Sequence, residues 1–227
     1  MKTRGVSRRV FLSGSACLSA AALAGCQTTA TSSVDAQEKL ALKSSFAKDY
    51  AALPKERFPI PAVQQEELAP KFRRRLVNYK TNEKPGTLIV EAKEFYLYHV
   101  KPDGKAMRYG VGLGRAGFEW SGRARVAWKR PWPTWTPPAE MIAREPQLEK
   151  YSAANGGKPP SLDNPLGARA LYIFEGNVDT LYRLHGTKNP KSIGRAISSG
   201  CVRLVNQDII HLYNEVKSNA PIIVRLT

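Results

Sequence analysis

One histidine and one cysteine form the candidate catalytic pair of this chain. His185 lies in Leu-His-Gly-Thr, residues 184–187, and Cys201 follows sixteen residues later in Ser-Ser-Gly-Cys-Val-Arg-Leu, residues 198–204. A free thiol with a pKa of about 8.5 is only a few per cent thiolate at neutral pH, so nucleophilic chemistry requires a nearby base or positive field. The imidazole of His185 can be that base. We therefore interpret the pair as the nucleophile and general acid–base of a thiol enzyme.

The cysteine count strengthens this interpretation. The chain has three cysteines, and Cys17 and Cys26 both lie in an N-terminal segment with the features of an export signal. Cys201 is then the only cysteine of the folded body and has no intramolecular disulfide partner. Outside the cytoplasm, structural cysteines usually occur in pairs. A lone cysteine can also be an inert buried residue, but the residues around Cys201 favour catalysis.

Small residues flank both members of the pair. Gly186 follows His185 directly and Gly200 precedes Cys201, so the backbone can turn sharply and approach a ligand closely. The amide N–H groups of Ser199, Gly200 and Cys201 are candidates for an oxyanion hole, in which each well-placed donor contributes roughly 3 kcal/mol.

Further residues are candidates for substrate binding. Arg203, two residues after the nucleophile, can hold a carboxylate bidentately, the alternative being a structural ion pair. Gly186 and Thr187 follow the histidine. Trp132 and Trp135 lie in a proline-rich segment that forms either the wall or lid of a groove or a packed crossover.

The other two histidines have structural explanations. His99 falls in the strand-like alternation Phe-Tyr-Leu-Tyr-His-Val, and His211 lies off the apolar stripe of a predicted helix. A metal bound by His185 and Cys201 would need at least one more ligand, and neither of these histidines has the spacing to supply it. No metal and no cofactor is expected.

The N-terminus predicts export and lipidation. Paired arginines in Ser-Arg-Arg-Val-Phe-Leu, residues 7–12, precede an uncharged run, the layout of a twin-arginine signal. The run, residues 10–24, has 15 residues, fewer than the roughly 20 that span a bilayer. Leu-Ala-Gly-Cys then resembles a lipobox with Cys26 as the acylated residue. Residues 1–26 are thus predicted to be a signal peptide. The protein is predicted to be periplasmic and anchored by lipid. Because Gln27 is not the aspartate that resembles an inner-membrane retention signal, we expect the anchor to be in the outer membrane.

Two further regions follow the signal. Residues 27–80 are rich in Ser, Ala, Gln and Pro and predict a linker or tether with one or two short helices. Residues 87–227 predict a mainly β catalytic domain, a sandwich or partly closed barrel, with a helix from Pro138 to Arg144 and one capped by Asn206 and ending near Lys217. The predicted strands are 87–91, 95–100, 107–113, 123–129, 168–174, 180–184 and 222–226.

The motifs closely resemble those of the YkuD-type L,D-transpeptidases over residues 87–227. The signature is His-Gly-Thr, a spacer with Ile193 and Gly194, and Ser-Ser-Gly-Cys-Val-Arg. Ser199 stands where many members have histidine, and a serine there resembles proteobacterial members. Three upstream motifs also match in order: Tyr-Gly-Val-Gly-Leu-Gly at 109–114, Trp-Pro-Thr-Trp-Thr-Pro-Pro at 132–138 and Asn-Pro-Leu-Gly at 164–167.

This resemblance implies peptidoglycan chemistry. Cys201 would attack the carbonyl at the L-centre of diaminopimelate in a tetrapeptide stem, release D-alanine and leave a thioester, with His185 moving the protons. An amine would resolve the thioester: a second stem (3→3 cross-link), an outer-membrane protein or lipoprotein, or a free D-amino acid. The alternatives are a non-catalytic peptidoglycan-binding lipoprotein and an L,D-carboxypeptidase or amidase that uses water.

The charge favours an anionic partner. The formal net charge of +16 becomes +12 without the predicted signal, which holds four basic residues and no acid. Such a charge attracts anionic polymers. No nucleic-acid-binding motif is present, and peptidoglycan stems with several carboxylates fit better. The alternative is an evenly solvated basic surface.

Overall fold

The computed structural model describes residues 44–114, 121–196 and 201–226. Ten strands in these residues form one sheet. They are β1 (Arg75–Asn78), β2 (Leu88–Glu91), β3 (Tyr96–Val100), β4 (Lys105–Gly110), β5 (Gly112–Leu113), β6 (Gly122–Pro131), β7 (Arg169–Glu175), β8 (Val178–Thr187), β9 (Val202–Val205) and β10 (Pro221–Arg225).

The helices are few and short. Residues 44–49 are helical (α1), and α2 (Ala139–Arg144) and α3 (Asn206–Glu215) follow. Four 3-10 helices complete the described set: Gln65–Glu67, Pro70–Phe72, Pro146–Tyr151 and Pro190–Ser192. The predicted mainly β fold with few helices is confirmed. No helix within the described ranges is long and apolar enough to span a membrane.

The sheet curls without closing. Its strand order is β1-β4-β3-β2-β10-β6-β7-β8-β9-β5, with β2–β10 and β8–β9 parallel and the other pairs antiparallel. β4 ends at Gly110 and β5 begins at Gly112, yet β5 lies at the opposite edge of the sheet. The sheet must therefore curve strongly for one intervening residue to join them.

The main core lies between the curved sheet and α3. Buried aliphatic side chains of the central strands pack against Ile209 and Leu212 of α3 and against Val216, which directly follows the helix. α3 contacts β7, β8 and β9. Of these strands, β8 contains His185 and β9 directly follows Cys201. Burial of apolar surface is the main stabilising term here, at roughly 25 cal/mol per Å².

The N-terminal segment, residues 44–74, corrects the predicted linker. Its side chains Phe46, Tyr50, Leu68 and Phe72 are buried, in a cluster that includes Ile193 of the catalytic domain. Residues from 43 onwards form one compact unit. The prediction of a linker up to residue 80 is therefore wrong for residues 44–80, because this stretch holds enough large apolar side chains to pack. Residues 27–43 lie outside the described part.

Some predicted elements differ in detail. Neither β1 nor β9 is among the predicted strands. The predicted strand 107–113 is two strands, of which β4 lies second from one edge of the sheet and β5 forms the opposite edge. Asn206 does not cap α3: it is the first helical residue, and its Oδ1 accepts a hydrogen bond from the Ala168 N–H at 3.0 Å. The helix ends at Glu215, before Lys217.

Candidate active site

Parallel pairing of β8 and β9 brings the candidate pair together. In this register Leu184 lies opposite Val202 and His185 opposite Arg203, and Cys201 directly precedes β9. β8 continues to Thr187, and the residue that precedes β9 is Cys201. His185 and Cys201 both line one cavity of about 730 Å³. The structure therefore places the histidine and the cysteine at the same site.

His185 is buried and its tautomer is defined by one hydrogen bond. The ring is 5% exposed, and Nδ1 lies 2.8 Å from the carbonyl oxygen of Gly186. A carbonyl can only accept, so Nδ1 carries the proton and Nε2 has a free lone pair. Burial lowers the pKa of His185 to about 4, the bond to Gly186 opposing this effect and the charge of Arg203 adding to it. At neutral pH the imidazole is uncharged and able to accept a proton.

Cys201 is half-buried and unpaired. Burial raises the pKa of its thiol, while a backbone hydrogen bond from Arg183 and the positive charges of Arg183 and Arg203 act in the opposite direction. Since burial is the largest of these effects, the sulfur rests as a thiol. Deprotonation must therefore accompany attack, which is the task of a neutral base nearby.

Arg203 lines the cavity and has unused hydrogen-bonding capacity. Its Nη2 donates to the Leu113 carbonyl at 3.3 Å, whereas its Nε is buried without a hydrogen-bond partner. No carboxylate of the described ranges forms an ion pair with it. The structure thus gives no support to the alternative of a structural ion pair.

Arg183 is a cavity residue that the sequence reasoning missed. Its guanidinium forms two hydrogen bonds of 2.7 Å with Asp179 and lies 4.4 Å from the ring centroid of Tyr172, which stacks on Trp128 at 3.5 Å. The signal was present, because alternate residues of a strand share a face. Arg183, His185 and Thr187 follow this period and all line the cavity.

The tryptophan-rich segment divides between cavity and core. Trp135 lines the cavity, as does Thr187. Trp132 does not: its ring is 6% exposed, its Nε1–H donates to Glu56 at 2.9 Å and it packs edge-on against Phe58 at 4.9 Å. The crossover interpretation thus holds for Trp132, because its indole N–H finds a partner in the N-terminal segment.

Gly186 does not line the cavity either. A Cβ there would overlap Asn206 Oδ1 and approach the Ala168 nitrogen to 3.0 Å. Glycine is needed at this position because α3 packs closely against β8. Gly186 therefore acts on the substrate only indirectly. It fixes the backbone next to His185.

Several predicted residues lie outside the described ranges or away from the site. Ser199 and Gly200 of the predicted oxyanion hole, and Cys26 and the signal peptide, are outside the described residues. His211 Nδ1 lies 2.8 Å from the Tyr109 hydroxyl, and His99 is buried in β3. Among the described residues, no group of three or more His, Cys, Asp or Glu could hold a metal ion.

The fold and site define a class: a curled β-sheet protein with a thiol and a neutral imidazole in one cavity. The model of the YkuD family, the L,D-transpeptidase catalytic domain, matches residues 85–224. This match covers more than half of the chain, and the protein belongs to that family.

Curated relatives carry the same family name. The chain is 35% identical over 139 residues to "Probable L,D-transpeptidase YbiS" of Escherichia coli K12, covering 58% of this chain and 41% of that protein. It is 34% identical over 134 residues to "Probable L,D-transpeptidase ErfK/SrfK" of the same strain, covering 57% and 40%. The matches thus span about two fifths of these relatives.

Among solved structures, one from Brucella melitensis, described as a probable carnitine operon oxidoreductase, is 41% identical over 68% of this chain and 94% of that chain, with a TM-score of 0.49. That description applies to the Brucella protein.

Proposed function

We propose that this protein is an L,D-transpeptidase that acts on peptidoglycan tetrapeptide stems through a thioester on Cys201. Membership of the YkuD family supports the substrate class. The observation that supports the mechanism is the shared cavity, in which Cys201 lies with a histidine whose Nδ1 is bonded to a carbonyl oxygen, so that Nε2 is left to act as the base.

In the first step, Cys201 Sγ attacks the carbonyl carbon at the L-centre of diaminopimelate. The thiol proton passes to His185 Nε2 and from there to the leaving amine, so that the peptide bond breaks and D-alanine departs. A thioester remains. The Cys201 N–H, with Ser199 and Gly200 as further candidates, stabilises the oxyanion.

In the second step, an amine attacks the thioester. His185 takes the amine proton and returns it to the departing sulfur, which restores the thiol and forms a new amide bond. Arg203 binds a carboxylate of the stem through its guanidinium, which has no ion-pair partner among the described residues. A second stem, a protein amine and a free D-amino acid are the candidate acceptors.

We further propose that the protein works in the periplasm. The twin-arginine pattern and the lipobox before Cys26 support export and a lipid anchor at the outer membrane. The tether proposal now concerns residues 27–43, since the structure packs residues 44–74 onto the domain. Ser199 in place of histidine supports assignment to the Ser-Ser-Gly-Cys subgroup.

The proposal is tested by D-alanine release from a disaccharide-tetrapeptide. Cys201→Ala should release none, and His185→Ala should release it roughly 10²- to 10⁴-fold more slowly. His211→Ala is the matched control, because His211 bonds to Tyr109 away from the cavity, and it should keep the wild-type rate. Release by Cys201→Ala at the wild-type rate would refute the mechanism.

Addition of a D-amino acid or a second stem in the same assay identifies the acceptor. A transpeptidase joins the acyl group to the amine, whereas an L,D-carboxypeptidase gives only the free tripeptide stem. Binding of the stem without any turnover would instead support the non-catalytic alternative.

A further inference from the structure

We propose that Phe72, in the N-terminal segment upstream of the family domain, is a positioning residue for the nucleophile. Its ring supports the chain that connects His185 to Cys201. This inference rests on the proposed function, because its effect is read as the reactivity of Cys201.

The contact between Phe72 and Gly194 is the first observation. Gly194 lies in the connection between β8 and Cys201, with a φ of +77°. A Cβ at Gly194 would overlap the Phe72 ring, so the ring lies directly against the backbone of this connection. Phe72 is itself 8% exposed and packs with Ile193 in the same cluster.

The opposite side of the connection is held by backbone hydrogen bonds. The Gly194 N–H donates to the Val111 carbonyl at 2.9 Å, and the Leu113 N–H donates to the Arg195 carbonyl at 3.0 Å. The connection is therefore clamped between Phe72 and the strand edge at β5. Loss of the ring would leave one side of this clamp open.

The clamp continues to the nucleophile. β5 pairs with β9, and the Gly114 N–H donates to the Cys201 carbonyl at 3.1 Å. Gly110, the last residue of β4, also lies against Phe72, since a Cβ there would be 2.5 Å from the Phe72 Cβ. Phe72 thus contacts both the chain leading into β5 and the connection that pairs with it.

The position of Phe72 is fixed by a buried ion pair two residues later. Arg74 forms ion pairs with Asp208 of α3 at 3.1 Å and with Asp49 at 3.0 Å, and its side chain is 8% exposed. The Arg74 N–H also donates to the Tyr50 hydroxyl at 2.5 Å. A charged group that is buried and paired on two sides has little freedom to move. Phe72 is therefore held against the connection by α3 and α1.

Loss of the Phe72 ring should change the rate of catalysis as well as the packing. Packed interiors respond to a missing ring by partial collapse, and here the backbone that lies against the ring is that of Gly194, seven residues before Cys201. A shift of about 1 Å in a reacting group can reduce catalysis by roughly 10²-fold. Arg203 lies on β9, which β8 holds on the side away from β5, so substrate binding at Arg203 should change less than the rate of the chemical step.

The test uses full-chain variants and D-alanine release. Phe72→Ala should lower kcat by about tenfold or more with KM within about twofold of wild type, and Phe72→Leu should recover most of the loss. Phe58→Ala is the matched control, because it removes the same ring from the same segment but its ring faces Trp132, which does not line the cavity. Equal kcat losses in Phe58→Ala and Phe72→Ala, at matched thermal stability, would overturn the proposal.

A double-mutant cycle gives the second test and covers the case in which Phe72→Ala does not fold. Gly194→Ala should lower kcat because its methyl group meets the Phe72 ring and because alanine is strained at a φ of +77°. Phe72→Leu can relieve the first of these effects only, so the double variant should lose less than the product of the two single effects. Additive losses would contradict a direct contact. If wild type released no D-alanine, the proposed function would fail, and alkylation of Cys201 by iodoacetamide in the same variants would still decide the role of Phe72.

Discussion

The thiol of Cys201 and the imidazole of His185 are both uncharged at rest. Burial raises the pKa of the thiol and lowers the pKa of the imidazole to about 4, so each group favours its neutral form. An ion pair of thiolate and imidazolium would require the opposite shifts. The thiol proton is therefore transferred during the attack step, and the reactivity of free Cys201 should depend on pH accordingly.

We predict that alkylation of Cys201 by iodoacetamide, without substrate, rises steadily through pH 9 and shows no plateau near neutrality. The thiolate fraction controls this reaction, and a raised pKa of the thiol moves that fraction to higher pH. The Cys201→Ala variant measures the background of alkylation elsewhere in the protein. A plateau between about pH 5 and 8 would indicate a resting ion pair.

Arg203 is predicted to bind a carboxylate of the substrate. Arg203→Gln should raise KM for the tetrapeptide roughly 10- to 100-fold, because a charged hydrogen bond contributes about 1.5–3 kcal/mol. Arg203→Lys should recover only part of this, since lysine lacks the bidentate fork. Arg123→Gln is the control, an exposed arginine paired with Glu83 on another part of the sheet. An unchanged KM in Arg203→Gln would remove this residue from the binding site.

The motif predicts that His185, Cys201 and Arg203 share one site, and the three residues line one cavity. Arg183 follows the alternation of β8, yet its place in the cavity depends on its pairing with Asp179 and on the ring of Tyr172. Trp132 and Trp135 are three residues apart in one motif and end in different environments. The difference comes from the N-terminal segment, in which Glu56 accepts the hydrogen bond of the Trp132 indole N–H.

At the scale of elements, β8, β9 and α3 form the framework of the site. β9 has only four residues and directly follows the nucleophile, so it gave no strand signal of its own. β1 is equally short and largely exposed. Such strands are defined by their partners, which are distant in sequence. The longer strands of the core, with their runs of apolar side chains, were predictable.

Asn206 links α3 to the site and can be tested by stability. Asn206→Ala leaves the buried Ala168 N–H without its acceptor and should lower the free energy of unfolding by about 1–3 kcal/mol, measured by urea denaturation. Asn206→Asp keeps an acceptor oxygen and should be less destabilised than the alanine variant. Asn155→Ala, at an exposed turn, is the control and should stay within about 0.5 kcal/mol of wild type. Wild-type stability of Asn206→Ala would show that this bond contributes nothing.

For the whole molecule, the folded unit is larger than the family domain. The family match begins at residue 85, but the unit begins at residue 43 because aromatic side chains and the Arg74–Asp208 ion pair attach the N-terminal segment to the domain. The sequence showed its prolines and polar residues, which suggest a linker. It did not show that Phe46, Tyr50 and Phe72, which are up to 26 residues apart in the sequence, pack in one cluster.

The anchor is tested by fractionation of cells. The full lipoprotein modification carries several acyl chains, and stable attachment takes more than one hydrophobic signal, so wild type should partition with outer membranes. Cys26→Ser should be released into the periplasm. Equal solubility of the two proteins would mean that Leu-Ala-Gly-Cys is a cleavage region without lipid.

Intact-mass spectrometry is the most direct test of the proposed thioester between Cys201 and a peptidoglycan stem. Wild type incubated with a disaccharide-tetrapeptide should gain the mass of the stem without its D-alanine and lose that mass again on addition of hydroxylamine. Peptide mapping should locate the adduct at Cys201, and Cys201→Ala should gain no mass. An adduct on another residue, or turnover of the tetrapeptide by Cys201→Ala, would contradict the account.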